Sequence, residues 1–117
     1  MYSKNNNGNI VLYDIDDTLI MWEPSESNKD FPILLVGDNG YYVTVYPNIK
    51  EINSLKAAKV RGHYVRVASQ GGQDWAELVI KALRLEDFVD SIECKPKWYH
   101  DDLPADTWMK RFYHKPE

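Results

Sequence analysis

The sequence predicts a single α/β domain on a mainly parallel sheet. Two observations carry that class. Short β-branched apolar runs alternate with stretches of helical period, and polar clusters follow the apolar runs, where open α/β sheets bind their ligands. The 117 residues suit one domain of the usual ~100–200 residues with one modest core. Eighteen acidic against 14 basic residues give a net charge of −4. No dense basic block is present to follow a phosphate backbone, which argues against general nucleic-acid binding. Cys94 is the single cysteine, so no intrachain disulfide forms. With no signal-peptide pattern and no apolar run of ~20 residues, the expectation is a cytoplasmic protein with no membrane span.

Taken in order, residues 1–9 (MYSKNNNGN) are polar and aperiodic and read as a flexible head, leaving 10–117 as the domain. Residues 10–13 are apolar at successive positions and predict a central strand covered on both faces. Residues 22–32 form a polar connector. In ILLVGDNGYYVTV, Asp38, Asn39 and Gly40 separate two β-rich runs, so residues 33–46 predict a β-hairpin. Residues 47–61 predict a helix with Asn48 as N-cap, Ile49, Ile52, Leu55 and Ala58 at helical spacing, and Gly62 as the stop. A second buried strand spans 63–69, and Gln70, Gly71 and Gly72 make the turn. Residues 74–85 predict a second amphipathic helix, with Trp75, Leu78, Val79, Ala82 and Leu83 on its apolar stripe. Residues 88–92 and 98–100 predict short strands, and 104–111 a terminal helix.

Three polar clusters then share one sheet edge: Asp14 and Asp16 after the first strand, Ser69 to Gly72 after the second, Asp101 and Asp102 after the last. Carboxylates gathered this closely repel one another unless a cation sits among them. Oxygen ligands without Cys or suitably spaced His favour Mg²⁺, and Mg²⁺ points to a phosphate partner. Each feature also has a plainer reading. The Asp14–Asp16 pair reads as a solvated acidic turn or simple cation site, Ser69 as a turn residue, and one of Asp101 and Asp102 as an N-cap. An EF-hand loop fits poorly, because Gly is absent where its sharp turn falls.

The stretch Asp14-Ile15-Asp16-Asp17-Thr18-Leu19, a DxDxT motif behind an apolar strand, resembles the first motif of the haloacid dehalogenase (HAD) superfamily of phosphohydrolases. Ser69 resembles its second motif, Lys95 or Lys97 its third, and Asp101-Asp102 its fourth. Order and approximate intervals also match over residues 10–103. The resemblance is to small members without a large cap domain, such as magnesium-dependent phosphatases and compact phage-encoded hydrolases. It implies a three-layer α/β/α Rossmann-like domain and Mg²⁺-dependent hydrolysis of a phosphomonoester through an aspartyl-phosphate. Under it Asp14 is the nucleophile and Asp16 the acid/base. Asp14, the Asp16 carbonyl and Asp101 hold Mg²⁺, and Lys95, preferred over Lys97, neutralises phosphate charge. Ser69, Gln70 and Gly71 bind phosphoryl oxygens. Thr18 is grouped with them, though its first task is to fix the turn, and Asp17 faces solvent or supports the loop.

The hairpin occupies the place of a flap, and its small size implies an open site. Such a site suits a nucleic-acid end or a phosphoprotein, with small metabolites also admitted, or a second subunit that completes the pocket. Trp22, Tyr41 and Tyr42 line the entrance or pack at its rim. His63, His100 and His114 lack ligand spacing. The rival reading is a non-catalytic phosphate- and metal-binding module, and a phosphotransferase differs only in its acceptor.

Overall fold

A computed structural model describes residues 9–37 and 39–117. Its elements run β1 (Ile10–Asp14), β2 (Ile20–Met21), β3 (Ile33–Val36), β4 (Tyr42–Pro47), α1 (Ile49–Val60), β5 (Tyr64–Ser69), α2 (Gln73–Ala82) and β6 (Ser91–Cys94). Single 3-10 turns at Glu86–Phe88 and Ala105–Thr107 complete them. The parallel sheet has the order β1-β5-β6, and a separate antiparallel sheet has the order β2-β4-β3. The mixed α/β class and the mainly parallel sheet are as expected. The head at residues 1–8 and Asp38 of the hairpin turn lie outside the described residues.

Strand β5 is the spine of the parallel sheet, with β1 on one side and β6 on the other; Tyr64 and Arg66 are only half-buried, Arg66 pairing with Glu93. Val65, Val67, Ala68 and Ser69 are all buried on it. Strand β1 lies against β5 from Ile10 opposite Tyr64 to Asp14 opposite Ala68. It is an edge strand rather than the expected central one. Among the described residues no strand borders its outer side, and Ile10 and Leu12, two apart on one face of the sheet, are exposed. The core gathers Ile15, Leu19, Ile20, Leu55, Val79, Ile80 and Leu85 around β5, each contributing roughly 1.5–3 kcal/mol by leaving water. Tyr13 joins them. Burial, outweighing its hydroxyl's bond to Ser54 Oγ at 2.8 Å, pushes its phenol above the usual range.

Helix α1 begins after Asn48 and stops at Gly62, whose φ of 90° reverses the chain. Glu51 in its first turn and Lys59 in its last complement the helix dipole. Asn48 sits at the N-cap but does not cap with its side chain. Its Nδ2 donates instead to the carbonyls of Thr18 at 2.8 Å and His114 at 2.7 Å. Ahead of β6, Asp90 accepts from the buried Val65 N–H and from Lys59 Nζ, both at 2.7 Å. Desolvation pushes the Asp90 carboxyl upward, and these two donors more than reverse it, leaving it below the usual range.

Beyond β6 the structure departs from expectation. The short strand expected at 88–92 forms three residues later at its start, as β6. No strand forms at 98–100, where Trp98 and Tyr99 are exposed. Parallel neighbours need a crossover of roughly a dozen residues, and six separate Cys94 from Asp101. The helix expected at 104–111 reduces to the turn Ala105–Thr107. Its apolar residues Trp108 and Met109 stay exposed, and so short a helix is marginal without a buried face. The chain then returns to the body. Tyr113 Oη donates to the Asp17 carbonyl at 2.9 Å, His114 Nδ1 pairs with buried Glu51, and Ser27 N–H donates to the Glu117 carbonyl at 2.8 Å. No helix among the described residues is long and apolar enough to cross a membrane.

Candidate active site

Asp14 closes β1, and the chain then turns tightly around one carbonyl. Ile15 O accepts the amides of Thr18, Leu19 and Ile20 at 3.0–3.2 Å. The turn requires Asp17 at φ 57°, a conformation that Asp tolerates better than most residues. Asp17 supports this loop: its Oδ1 accepts the Trp22 amide at 3.2 Å. Thr18 Oγ1 donates to Asp14 Oδ2 at 3.2 Å. Thr18 therefore orients Asp14 and fixes the turn.

Because β5 runs parallel to β1, Ser69 emerges at the same sheet end. Its hydroxyl donates to Asp16 Oδ2 at 3.2 Å and accepts the Gly71 amide at 2.9 Å. Gly71 lies close against the indole, since a Cβ there would lie 3.0 Å from Trp75 Cδ1 and 3.3 Å from Ser69 Oγ. Gly72 follows at φ 103° and starts α2. Gln70 is exposed at the tip of this turn.

Strand β6 brings the third group. Its register ends with Cys94 opposite Ser69, and the Lys95 amide continues the ladder to Ser69 O at 2.8 Å. Lys95 Nζ lies 3.8 Å from Asp14 Oδ1. Lys95, not the exposed Lys97, is thus the lysine at the carboxylates. Both partners are about a third exposed, so the pair contributes little stability by itself, of order 0–1 kcal/mol.

Two indoles complete the arrangement. Trp22 Nε1 and Trp75 Nε1 both donate to Asp16 Oδ1, at 3.2 and 3.0 Å. The rings stack with centroids 5.9 Å apart and planes 16° apart. Asp16 therefore receives three side-chain donors and is held in a single orientation. From the sequence, Trp75 read as part of the apolar stripe of α2. The signal for a second task was the indole N–H, which seeks a partner when partly buried, one turn past the Gly71-Gly72 loop.

Asp101 does not join this group. It is exposed, and its Oδ1 accepts the Leu103 amide at 3.0 Å. Among the described residues no three His, Cys, Asp or Glu side chains gather as a metal-binding cluster. The gathered residues still offer Mg²⁺ a suitable donor chemistry. Asp14 and the Asp16 carbonyl are hard oxygen ligands, and Mg²⁺ is commonly held by one or two carboxylates with water and substrate phosphate completing its shell. Compared with protein-family models, curated proteins and solved structures, the chain matches none.

Proposed function

We propose that this chain is a phosphohydrolase of the haloacid dehalogenase type, with the three-layer Rossmann-like arrangement of that superfamily, hydrolysing a phosphomonoester in the presence of Mg²⁺. The observation that carries the reading is the meeting of Asp14, Asp16, Ser69 and Lys95 at one end of the parallel sheet. Asp14 attacks phosphorus, forming a carboxylate O–P bond as the ester O–P bond breaks. Asp16 gives its proton to the departing oxygen, then takes one from the water that attacks phosphorus and releases inorganic phosphate from Asp14. Lys95 offsets negative charge at the reacting oxygens. The Gln70 amide orients the phosphoryl group, Ser69, which donates to Asp16 and accepts the Gly71 amide, holds Asp16 and the turn in place, and Thr18 keeps Asp14 aimed. Mg²⁺, held by Asp14 and the Asp16 carbonyl, supplies neutralisation of phosphoryl charge when bound.

The separation of Asp101 from the carboxylates favours a second reading, a non-catalytic module that binds phosphate with the same residues. Hydrolysis of p-nitrophenyl phosphate separates the two, measured with Mg²⁺, with EDTA and in Asp14→Asn. Metal-dependent turnover that disappears in the variant is the expected result. A folded protein that binds phosphate without turning over the ester would leave the binding module as the better reading.

A further inference from the structure

The chemistry above gives no task to the cleft between the hairpin and α2. This cleft has a volume of about 410 Å³, with Tyr41 and Val43 on the hairpin side, Trp75 and Leu78 on the helix side, and Asn39 and Asp74 among its polar residues. Trp75 is shared with a neighbouring recess of about 310 Å³, whose walls also include Asp16, Trp22 and Gly71. One aromatic wall thus runs from Asp16, the group that faces the leaving oxygen, to the hairpin. In that wall Trp75 is stacked on Trp22, and both indoles donate to Asp16. Opposite it Tyr41 is 72% exposed, leaving its ring largely bare to solvent.

Charge narrows what fits. No Lys or Arg is among the described residues of this cleft, and Asp74 contributes a carboxylate. A leaving group with additional phosphates would meet that carboxylate with no local cation, in a chain of net charge −4. An uncharged flat ring meets aromatic and aliphatic walls instead, and an N–H on its edge meets an acceptor in Asp74. We propose that this cleft seats the uncharged aromatic ring of the substrate's leaving group, with a nucleoside monophosphate as the matching chemistry. The assignment rests on the phosphohydrolase reading and narrows its substrate class.

The test is calorimetric titration of the full chain carrying Asp14→Asn, with Mg²⁺ present, against adenosine monophosphate and against ribose phosphate. Base stacking on aromatic side chains predicts that the nucleotide binds about tenfold or more tighter than the sugar phosphate. Tyr41→Ala should shrink that ratio several-fold while the affinity for ribose phosphate stays put. Equal affinities, or no measurable binding of the nucleotide, would overturn the assignment. Turnover of p-nitrophenyl phosphate by the unmodified chain reports on the parent reading separately. Equal affinities with turnover intact remove the cleft's role alone, whereas the tenfold preference without turnover supports the cleft and removes the catalysis.

Discussion

Replacing Trp75 with Phe removes one hydrogen-bond donor from Asp16 and leaves the ring in place. The phenyl group keeps most of the stack on Trp22, now 5.9 Å between centroids. Asp16 Oδ1 loses its 3.0 Å donor and retains the Trp22 indole at 3.2 Å, while Oδ2 keeps Ser69. A hydrogen bond to a charged group contributes ~1.5–3 kcal/mol. With a second indole remaining on the same oxygen and Asp16 only part-buried, about 1–1.5 kcal/mol is the reasonable share. At ~1.4 kcal/mol per factor of ten, kcat should fall roughly five- to twelvefold. KM should stay within about twofold, because an aromatic ring remains at position 75 and the Asp14–Lys95 pair is untouched. The assay is steady-state hydrolysis of phenyl phosphate, whose phenolate leaving group needs the proton, with thermal melting to confirm the fold. A kcat equal to the parent's, or a loss confined to KM, would refute the claim that the indole positions the acid/base.

Gly71→Ala would place its Cβ 3.0 Å from Trp75 Cδ1 and 3.3 Å from Ser69 Oγ. The Trp75 ring must give by a few tenths of an ångström at this exposed turn, so urea unfolding should show a loss of no more than about 1 kcal/mol, the low end of overpacking costs. Asp90→Ala strands the buried Val65 amide and releases Lys59, which should cost about 1–3 kcal/mol in urea. The folded Asp90 carboxyl lies below its ordinary value, so its contribution is present above the unfolded pKa of ~3.9 and is lost as pH falls through the folded one. The stability gap between parent and Asp90→Asn should therefore hold at neutral pH and close in acid below about pH 4; a gap that widened there would contradict the pairing. Leu55→Ala empties a fully buried position on α1 and should cost about 2–5 kcal/mol by the same measurement.

The site and the body of the fold were readable to different degrees. Asp14 and Ser69 stand at the ends of apolar runs, so the parallel sheet that brings them together follows from patterning alone. Lys95 was preferred over Lys97 from the sequence, and the end of β6 at Cys94 gives the reason, because the ladder carries Lys95 to within 3.8 Å of Asp14. The edge position of β1 was hidden. Ile10 and Leu12 look like core residues, and a run that is apolar at every position does not say whether another strand pairs beyond β1 or whether the Ile10–Leu12 face is covered. Trp75 was concealed by its own ambiguity, an apolar ring at helical spacing that also carries a donor. The return of Tyr113 and His114 to Asp17 and Glu51 has no local signature, because each contact spans more than 60 residues.

The pairing of β1 with β5 makes the candidate site a vernier on the sheet. Asp14 faces Ala68 only when Ile10 faces Tyr64. A chain that collapsed with these strands one residue out of step would retain its hydrogen-bond ladder and its circular dichroism. It would also turn Tyr13 outward and carry the Asp14 carboxylate to the other face, ~3.3 Å along the strand from its place beside Lys95. The native register is therefore what joins the ladder to the Asp14–Lys95 pair: ellipticity reports the first, and only the proximity of Asp14 to Lys95 reports the second.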